Sequence, residues 1–200
     1  MCRITGFWDF NYRQNYSIKD CLVAMRDCLQ HGGPDSAGAY YEPQKQLALG
    51  HRRLSILDLS AAGDQPLYLD QYVIVFNGEI FNFKAIKEQL IQVGARFQSD
   101  SDTEVILHAY KHWGLEMMHH FRGFFAIVVY DTMLKKLLLI RDRMGVKPLY
   151  WYFKDGLFLF ASELKAFHQH PLFDKTINKD ALSLYLQQGY IQQPHCIFKY

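Results

Sequence analysis

The second residue of the chain is a cysteine, directly after the initiator methionine. A small residue in this position permits removal of Met1, which places a thiol and a free α-amino group together on Cys2. A cysteine thiol and an α-amino group have ordinary pKa values of about 8.5 and about 7.7–8.0, so both titrate near neutral pH. The amine can then serve as general base, through one water, for a strongly nucleophilic thiolate. Cys2 is therefore a candidate nucleophile, although most cysteines at position 2 have no such role.

Attack by a thiolate on a carbonyl group requires hydrogen-bond donors where negative charge develops on the oxygen. Asn77 and Gly78 follow an apolar strand pattern at 72–76 and are candidates for this oxyanion hole. The amide NH2 of Asn77 would be one donor and the backbone N–H of Gly78 the other. The alternative is an ordinary Asn-Gly hairpin turn, which the dipeptide alone favours equally. Glu79, directly after the pair, is unusual for a plain hairpin.

An amino-acid substrate also needs partners for its charged α-carboxylate and α-ammonium groups. Arg53, next to Arg52, offers a guanidinium that can bind a carboxylate through two parallel hydrogen bonds. Asp102 or Glu79 can pair with the ammonium group. Taken singly, Arg53 is more often a surface charge and Asp102 more often part of a helix cap.

Metal and nucleotide sites are not predicted. His108 and His112 lie four residues apart on a probable helical pattern, but the glutamate of a HExxH motif is missing and no third ligand is obvious. A phosphate-binding loop of the GxxxxGK[ST] type does not occur, so ATP binding is not expected in this chain. We therefore expect no cofactor here.

The bulk properties exclude several classes of protein. The chain has 200 residues, half of them hydrophobic, and a formal net charge of +2 without a basic block. One large domain without a nucleic-acid partner is expected. The longest apolar run, residues 124–130, is too short for a membrane span, and polar residues interrupt the N-terminus as a secretion signal. We expect a cytoplasmic protein whose four cysteines remain thiols.

Hydrophobic periodicity predicts a mixed α and β domain. The strand patterns lie at 3–8, 47–51 with an extended continuation to 58, 72–76, 124–131, 137–142, 149–153 and 157–161. The helical patterns lie at 18–29, 83–93, 101–114, 162–168 and 179–188. Residues 31–38 are interpreted as a loop because they are rich in glycine and proline. The apolar character of the last four strands predicts a sheet covered on both faces.

Six segments occur in an order typical of one family. They are Cys2, His-Gly-Gly-Pro-Asp at 31–35, Gly-His-Arg-Arg-Leu-Ser-Ile-Leu-Asp at 50–58, Asn-Gly-Glu-Ile-Phe-Asn at 77–82, Ser-Asp-Thr-Glu at 101–104 and Arg-Asp-Arg-Met-Gly-Val-Lys-Pro-Leu-Tyr at 141–150. The chain resembles the glutaminase domain of glutamine-hydrolysing asparagine synthetases, which are class II glutamine amidotransferases. The segments at 53–56 and 141–150 favour this branch over other class II amidotransferases.

The resemblance implies an α+β fold of the N-terminal-nucleophile hydrolase type. This fold is a four-layer αββα sandwich, with two mostly antiparallel sheets between helical layers. The resemblance also implies that Cys2 hydrolyses glutamine to glutamate and ammonia through a thioester. Asn77 and the N–H of Gly78 would form the oxyanion hole.

The same resemblance implies a binding site for the amino-acid end of glutamine. Arg53 would bind the carboxylate, and Glu79 and Asp102 would hold the ammonium group. The backbone of a following segment would line the pocket: Leu54, Ser55, Ile56 and Leu57.

By the resemblance, residues 1–190 form the amidotransferase domain and residues 191–200 begin a linker toward an ATP-dependent synthetase domain. That absent domain would bind ATP and Mg, receive the ammonia and convert aspartate to asparagine. The implied partners are glutamine and this C-terminal domain, without nucleic acid or membrane. The oligomeric state stays open, and a homodimer is one candidate.

Two positions depart from the family pattern. The family commonly has glycine where this chain has Arg3, and arginine where it has Gly32. Arg3 beside the nucleophile would either favour the thiolate or crowd the pocket, and Gly32 would loosen the loop at 31–35. Two alternatives therefore stay open. One is an amidotransferase for another carboxylate, such as a sugar acid in polysaccharide synthesis, and the other is an interaction or regulatory domain with weakened catalysis.

Overall fold

The computed structural model describes residues 2–56, 58–192 and 194–199. The strands are β1 (Arg3–Asp9), β2 (Ser36–Glu42), β3 (Leu47–Arg53), β4 (Leu67–Leu69), β5 (Tyr72–Ile80), β6 (Gly123–Asp131), β7 (Lys136–Arg141), β8 (Tyr150–Lys154) and β9 (Leu157–Ala161). The α-helices are α1 (Ile18–Asp27), α2 (Phe83–Gln92), α3 (Asp102–Trp113), α4 (Met117–His120) and α5 (Lys179–Gln188). Most of the predicted strands and helices are confirmed, with ends that shift by a few residues.

Two antiparallel sheets stack face to face between helical layers. The first sheet has the strand order β2-β3-β1-β9-β8 and the second has the order β4-β5-β6-β7. Because side chains alternate along a strand, β1 directs Ile4 and Trp8 into the core between the sheets and Phe7 toward α1. On the far side, α2 and α3 pack against the second sheet. The expected four-layer αββα sandwich is confirmed.

The pairing of β1 with β3 brings the start of β1 next to the end of β3. These strands are antiparallel, and Arg3 lies opposite Arg52. His51 of β3 connects the two sheets through a hydrogen bond between its Nε2 and the carbonyl of Phe76, at 3.1 Å. Burial lowers the pKa of His51 to about 3, so the neutral imidazole can donate this bond from Nε2.

The alternative interpretation of Asn77-Gly78 as a hairpin turn is wrong. β5 continues through both residues to Ile80, with Asn77 opposite Ala126 and Gly78 opposite Phe125 of β6. Gly78 is needed because a Cβ there would lie 2.3 Å from the carbonyl oxygen of Phe124. The glycine therefore permits a close approach of two strands rather than a hairpin turn.

Four other local predictions need correction. The supposed loop at 31–38 contains the start of β2, and β4 has no counterpart in the predicted pattern. β3 ends at Arg53, so residues 54–56 do not extend it, and the helix predicted at 162–168 is a 3₁₀ turn over Leu164–Gln169. β8, at the edge of the first sheet, is also not covered on both faces, because Trp151 and Phe153 are 67% and 53% exposed.

Within the described residues, no helix is long and apolar enough to cross a membrane. The cytoplasmic location stays a prediction.

Candidate active site

Cys2 lies immediately before β1, at the edge where the space between the two sheets opens. Its Sγ is 3.3 Å from the backbone nitrogen of Leu54, which donates to it, and 3.5 Å from the carbonyl oxygen of the same residue. The side chain is half-buried. The N–H of Leu54 is therefore placed to stabilise a thiolate at this position.

A pocket beside Cys2 is lined by most of the residues that were predicted from the sequence to form the site. Its lining includes seven of them, which are Cys2, Arg53, Leu54, Ile56, Gly78, Glu79 and Asp102. Ser55 and Asn77 do not line it, and Leu57 lies outside the described residues. The N–H of Ser55 instead donates to Asp35 at 2.8 Å, which ties this segment to the loop at 31–35.

The end of β5 presents an open backbone edge to this pocket. β4 pairs only with Tyr72–Ile74, so the next residues of β5 have no strand on that side. Phe76 N–H donates to Oε1 of Gln65 at 2.6 Å, and Ile80 N–H donates to Oδ2 of Asp102 at 3.1 Å. Because N–H groups two residues apart on a strand point to the same edge, the N–H of Gly78 lies between these two and faces the pocket.

Asn77 lies one position before Gly78 and points into the space between the sheets. The residue is only 1% exposed. Its Oδ1 has no hydrogen-bond partner among the described residues. The unpaired atom is a hydrogen-bond acceptor, whereas an oxyanion hole requires a donor, so the role of the Asn77 NH2 group in the oxyanion hole stays a prediction.

Arg53 forms one wall of the pocket and is held in place by the loop that follows β3. Its Nη1 donates to the carbonyl of Ser60 and to Oδ1 of Asp64, both at 2.8 Å, and its Nη2 donates to the carbonyl of Asp58. Burial would raise the pKa of Asp64, but hydrogen bonds from Ser36 and Arg53 outweigh it and hold that pKa below its ordinary value. Arg53 is therefore a buried, oriented guanidinium and not a surface charge.

Asp102 lies in the first turn of α3 and is almost completely buried. Burial raises the pKa of its carboxyl to about 6, against the hydrogen bond from Ile80, and the nearby charge of Glu79 raises it further. Ser101 caps this helix by accepting from the N–H of Thr103 at 3.1 Å. The segment at 101–104 has the S-x-x-E form of a capping box, but the box is only half formed, because Glu104 accepts hydrogen bonds from the backbone of Gln98 and Ser99 instead. Two carboxylates, Asp102 and Glu79, thus meet at the end of the pocket.

Lys147 adds a buried positive charge near the same site. It is 1% exposed, and its Nζ lies 4.5 Å from the centre of the Phe124 ring. Burial and the charge of Arg3 lower the pKa of Lys147, while the nearby Cys2, Asp142 and Glu79 act in the opposite direction. Asp142 fixes the turn that carries this lysine by accepting from the N–H groups of Val146 and Lys147, both at 2.9 Å.

Sequence reasoning missed several residues of the lining: Asp58, Gly63, Gln65, Phe76, Ser101 and Thr103. Gln65 has the most evident role, because its Nε2 donates to Oγ1 of Thr103 at 3.1 Å while its Oε1 accepts from Phe76. It therefore joins the end of β5 to α3. Its place in a Gly-Asp-Gln-Pro segment indicates only a loop, so no local pattern marks it.

The histidines do not form a cluster of metal ligands in the part of the chain that the structure describes. Among the residues that the structure describes, no group of three or more His, Cys, Asp or Glu side chains could hold a metal ion. His108 of α3 packs against Phe97, with ring centres 4.4 Å apart.

Comparison with known proteins places this arrangement among amidotransferases. The chain is 36% identical over 187 residues to "Asparagine synthetase [glutamine-hydrolyzing] 3" of Bacillus subtilis, a match that covers 92% of this chain and 30% of the relative. It is 40% identical over 148 residues to a protein of Gibberella zeae named as an amidase, covering 73% of this chain and 22% of the relative. The chain thus spans less than a third of the length of either relative.

The fold has relatives among solved structures. A glutamine phosphoribosylpyrophosphate amidotransferase of B. subtilis superposes with a TM-score of 0.70 at 22% identity, covering 84% of this chain and 43% of the other. This likeness concerns the fold. The sequence profile described as "Glutamine amidotransferase domain" matches residues 1–200. The chain therefore belongs to the glutamine amidotransferase domain family.

Proposed function

We propose that this domain hydrolyses glutamine to glutamate and ammonia through a thioester on Cys2. The observation that carries the proposal is the pocket shared by a half-buried thiol, an oriented guanidinium and two carboxylates. These are the groups needed to attack a side-chain amide while holding the two charged groups of a free amino acid. A buried carboxyl with a raised pKa in such a pocket is typical of functional sites.

Both halves of the reaction use the thiol and the α-amine of Cys2. Once Met1 is removed, the amine takes the proton from Sγ of Cys2 through one water, and the sulfur attacks the side-chain amide carbon of glutamine. The oxyanion that forms accepts hydrogen bonds from the N–H of Gly78 and the side-chain amide of Asn77. Collapse breaks the C–N bond, the proton passes to the departing nitrogen, and ammonia leaves a thioester. Water, deprotonated by the same amine, then releases glutamate and regenerates the thiol.

The amino-acid end of glutamine is held at the opposite wall. We assign its carboxylate to Arg53 and its ammonium group to Asp102 and Glu79, with Leu54 and Ile56 along the side. The backbone N–H of Ser55 already bonds to Asp35, so its role is to fix the shape of this wall. A role for Leu57, which the resemblance implies, stays part of the proposal.

In a longer protein, we propose that the ammonia passes to an ATP-dependent synthetase domain that binds ATP and Mg and amidates aspartate. The B. subtilis relative that is named an asparagine synthetase is much longer than this chain, which supports the idea. The exposed face of α5 is a suitable contact for such a domain. Leu182, Tyr185 and Leu186 lie on one side of this helix, and Leu186 is 75% exposed.

A glutaminase assay tests the core of the proposal. The purified chain is incubated with glutamine, and glutamate and ammonia are measured together with the intact mass of the protein. We expect equimolar products from molecules that lack Met1 and none from molecules that retain it, because the peptide bond removes the amine as base. Processed protein that neither turns over glutamine nor reacts with a glutamine-like electrophile would contradict the proposal.

The identity of the acceptor needs the longer protein. The relative named as an amidase, at 40% identity, favours keeping an acceptor other than aspartate as the second candidate. Offering aspartate and sugar acids in parallel, with ATP and glutamine, distinguishes the two by the amide that forms.

Asp102 makes glutamine binding depend on pH. Because folding raises the pKa of Asp102, this carboxyl contributes most to the free energy of unfolding below pH 3.8, the ordinary pKa of an aspartate. The contribution is lost as the pH rises through about 6. Protonation below about 6 removes the partner of the substrate ammonium. We expect the Kd for glutamine to rise about tenfold for each pH unit below this value. Calorimetry with Cys2→Ala measures binding without interference from the thiol.

The matched control is Asp102→Asn, which has the same shape and no titratable group. Its Kd for glutamine should be high and independent of pH between 5 and 8. A pH dependence that persists unchanged in Asp102→Asn would assign the effect to another group, with Glu79 the first to examine.

A further inference from the structure

The side chain of Arg3 fills the place where a side chain at position 32 would lie. A Cβ built on Gly32 would lie 2.7 Å from Cγ of Arg3 and 2.8 Å from both its Nε and its Cζ. These distances are shorter than real side-chain contacts allow. The arginine side chain therefore lies directly over the backbone of Gly32, and any side chain at position 32 would displace it from this place.

The guanidinium of Arg3 holds the backbone of the candidate nucleophile. Its Nη1 donates to the carbonyl oxygen of Cys2 at 3.1 Å, and its Nε donates to Oε1 of Glu163 at 2.6 Å. Ile4, which follows Arg3, is also fixed in place, because its N–H donates to Oγ of Ser162 at 3.0 Å. Cys2 is thereby connected to the segment that follows β9.

Three basic side chains surround Glu163 at this point. Besides Arg3, it lies 2.8 Å from Nε2 of His31 and 3.3 Å from Nζ of Lys165. Partial burial would raise the pKa of Glu163, but the hydrogen bonds from Arg3, His31 and Lys165 outweigh it and lower that pKa to about 2. Glu163 is therefore ionised throughout the neutral range and keeps the guanidinium oriented.

A nucleophile at the start of a chain needs such a restraint. Terminal residues are poorly ordered unless they are tied down, and Cys2 precedes the first strand. Displacement of a reacting group by about 1 Å lowers a rate by about a hundredfold. We propose that Arg3 is a positioning residue that fixes Cys2 against Leu54 and the pocket, and that Gly32 is its required partner. The inference rests on the proposed function and explains together the two positions that depart from the family pattern.

A double-mutant cycle tests the pairing. Arg3→Ala removes the restraint, and Gly32→Ala displaces the arginine by adding one methyl group. For protein that has lost Met1, we expect each single variant to lower kcat for glutamine about 10- to 100-fold, with KM changed less than about twofold. In the Arg3→Ala background, Gly32→Ala should cause little further loss. Arg13→Ala, which removes an ion pair with Asp9 at the other end of β1, is the matched control and should leave kcat unchanged.

A second measurement is independent of turnover. The rate at which iodoacetamide labels Cys2, located by peptide mass, should change in Arg3→Ala and Gly32→Ala and match the wild-type rate in Arg13→Ala. The inference would be overturned if Arg3→Ala changed neither kcat nor the labelling rate. It would also be overturned if the loss in kcat of the double variant equalled the product of the two single losses, because the substitutions would then act independently. If the wild-type protein releases no ammonia, the proposed function fails. Labelling rates that change in Arg3→Ala and in Gly32→Ala, without a further change in the double variant, would still support the placement of Cys2 by Arg3.

Discussion

Replacement of Cys2 by alanine is expected to abolish the release of ammonia from glutamine, with a loss in kcat of at least about a thousandfold. The alanine variant keeps the α-amine, the oxyanion donors and the pocket, and lacks only the sulfur that forms the thioester. Glutamine should still bind to it, because the carboxylate and ammonium partners are untouched. The measurements are the rate of glutamate formation and the labelling of the protein by a glutamine-like electrophile, which should disappear.

Cys28→Ala is the control for this experiment. The Cys28 thiol is also half-buried, but it donates to the carbonyl of Met25 at 3.1 Å within α1, and burial raises its pKa. Cys21, on the same helix, is buried, and burial raises its pKa to about 12. Neither thiol is expected to react as a thiolate near neutral pH, so Cys28→Ala should retain activity and labelling. Comparable turnover by Cys2→Ala would refute the thioester mechanism outright.

Most strands and the helices α1, α2, α3 and α5 were predictable because each carries a local signal, whereas α4 has only four residues and no such signal. α1 and α2 show the apolar spacing of helices, and Ser101 marks the start of α3 by capping it. The strands after residue 123 are continuous apolar runs bounded by turns. Except at the exposed positions of β8, the pattern reflects burial of one or both faces against the core between the sheets or the cores under the helices.

The path of the chain at Asn77-Gly78 was not predictable in the same way. The dipeptide is typical of a hairpin turn, but Gly78 is there because β6 approaches too closely for a side chain. Whether the strand continues depends on β6, about fifty residues away in the sequence, which pairs with it through Ile80. Local propensity was overridden by a long-range pairing, and the same pairing exposes the N–H of Gly78 to the pocket.

The candidate site was predictable only where a residue type has a chemical role. Cys2, Arg53 and Asp102 could be selected because a nucleophile, a cation and an anion are recognisable as such. Gln65 could not, because its function is to close the free edge of β5 by accepting from Phe76. The contact between Arg3 and Gly32 also lies beyond sequence reasoning, since each was visible only as an isolated departure from a pattern.

Replacement of Arg53 by alanine is expected to raise the KM for glutamine about 30-fold or more, with a smaller effect on kcat. The estimate follows from the loss of about 2 kcal/mol or more when one partner of a buried, hydrogen-bonded charge pair is removed. Arg53→Lys should recover only part of the affinity, because an ammonium group cannot form two parallel bonds to a carboxylate. Steady-state kinetics with glutamine give both constants.

Arg53 also supports the loop at 58–64, so the binding role must be separated from the structural one. Asp64→Asn serves this purpose, because it weakens the ion pair at 2.8 Å while leaving the guanidinium in the pocket. If Arg53 binds the substrate carboxylate, Asp64→Asn will alter the melting temperature more than KM, whereas Arg53→Ala will alter both. Equal rises of KM in the two variants would mean that Arg53 acts only by holding the loop, and the carboxylate would then need another partner. Lys147 would be the next group to test, because it is a buried basic side chain close enough to Cys2 for the charge of Cys2 to raise its pKa.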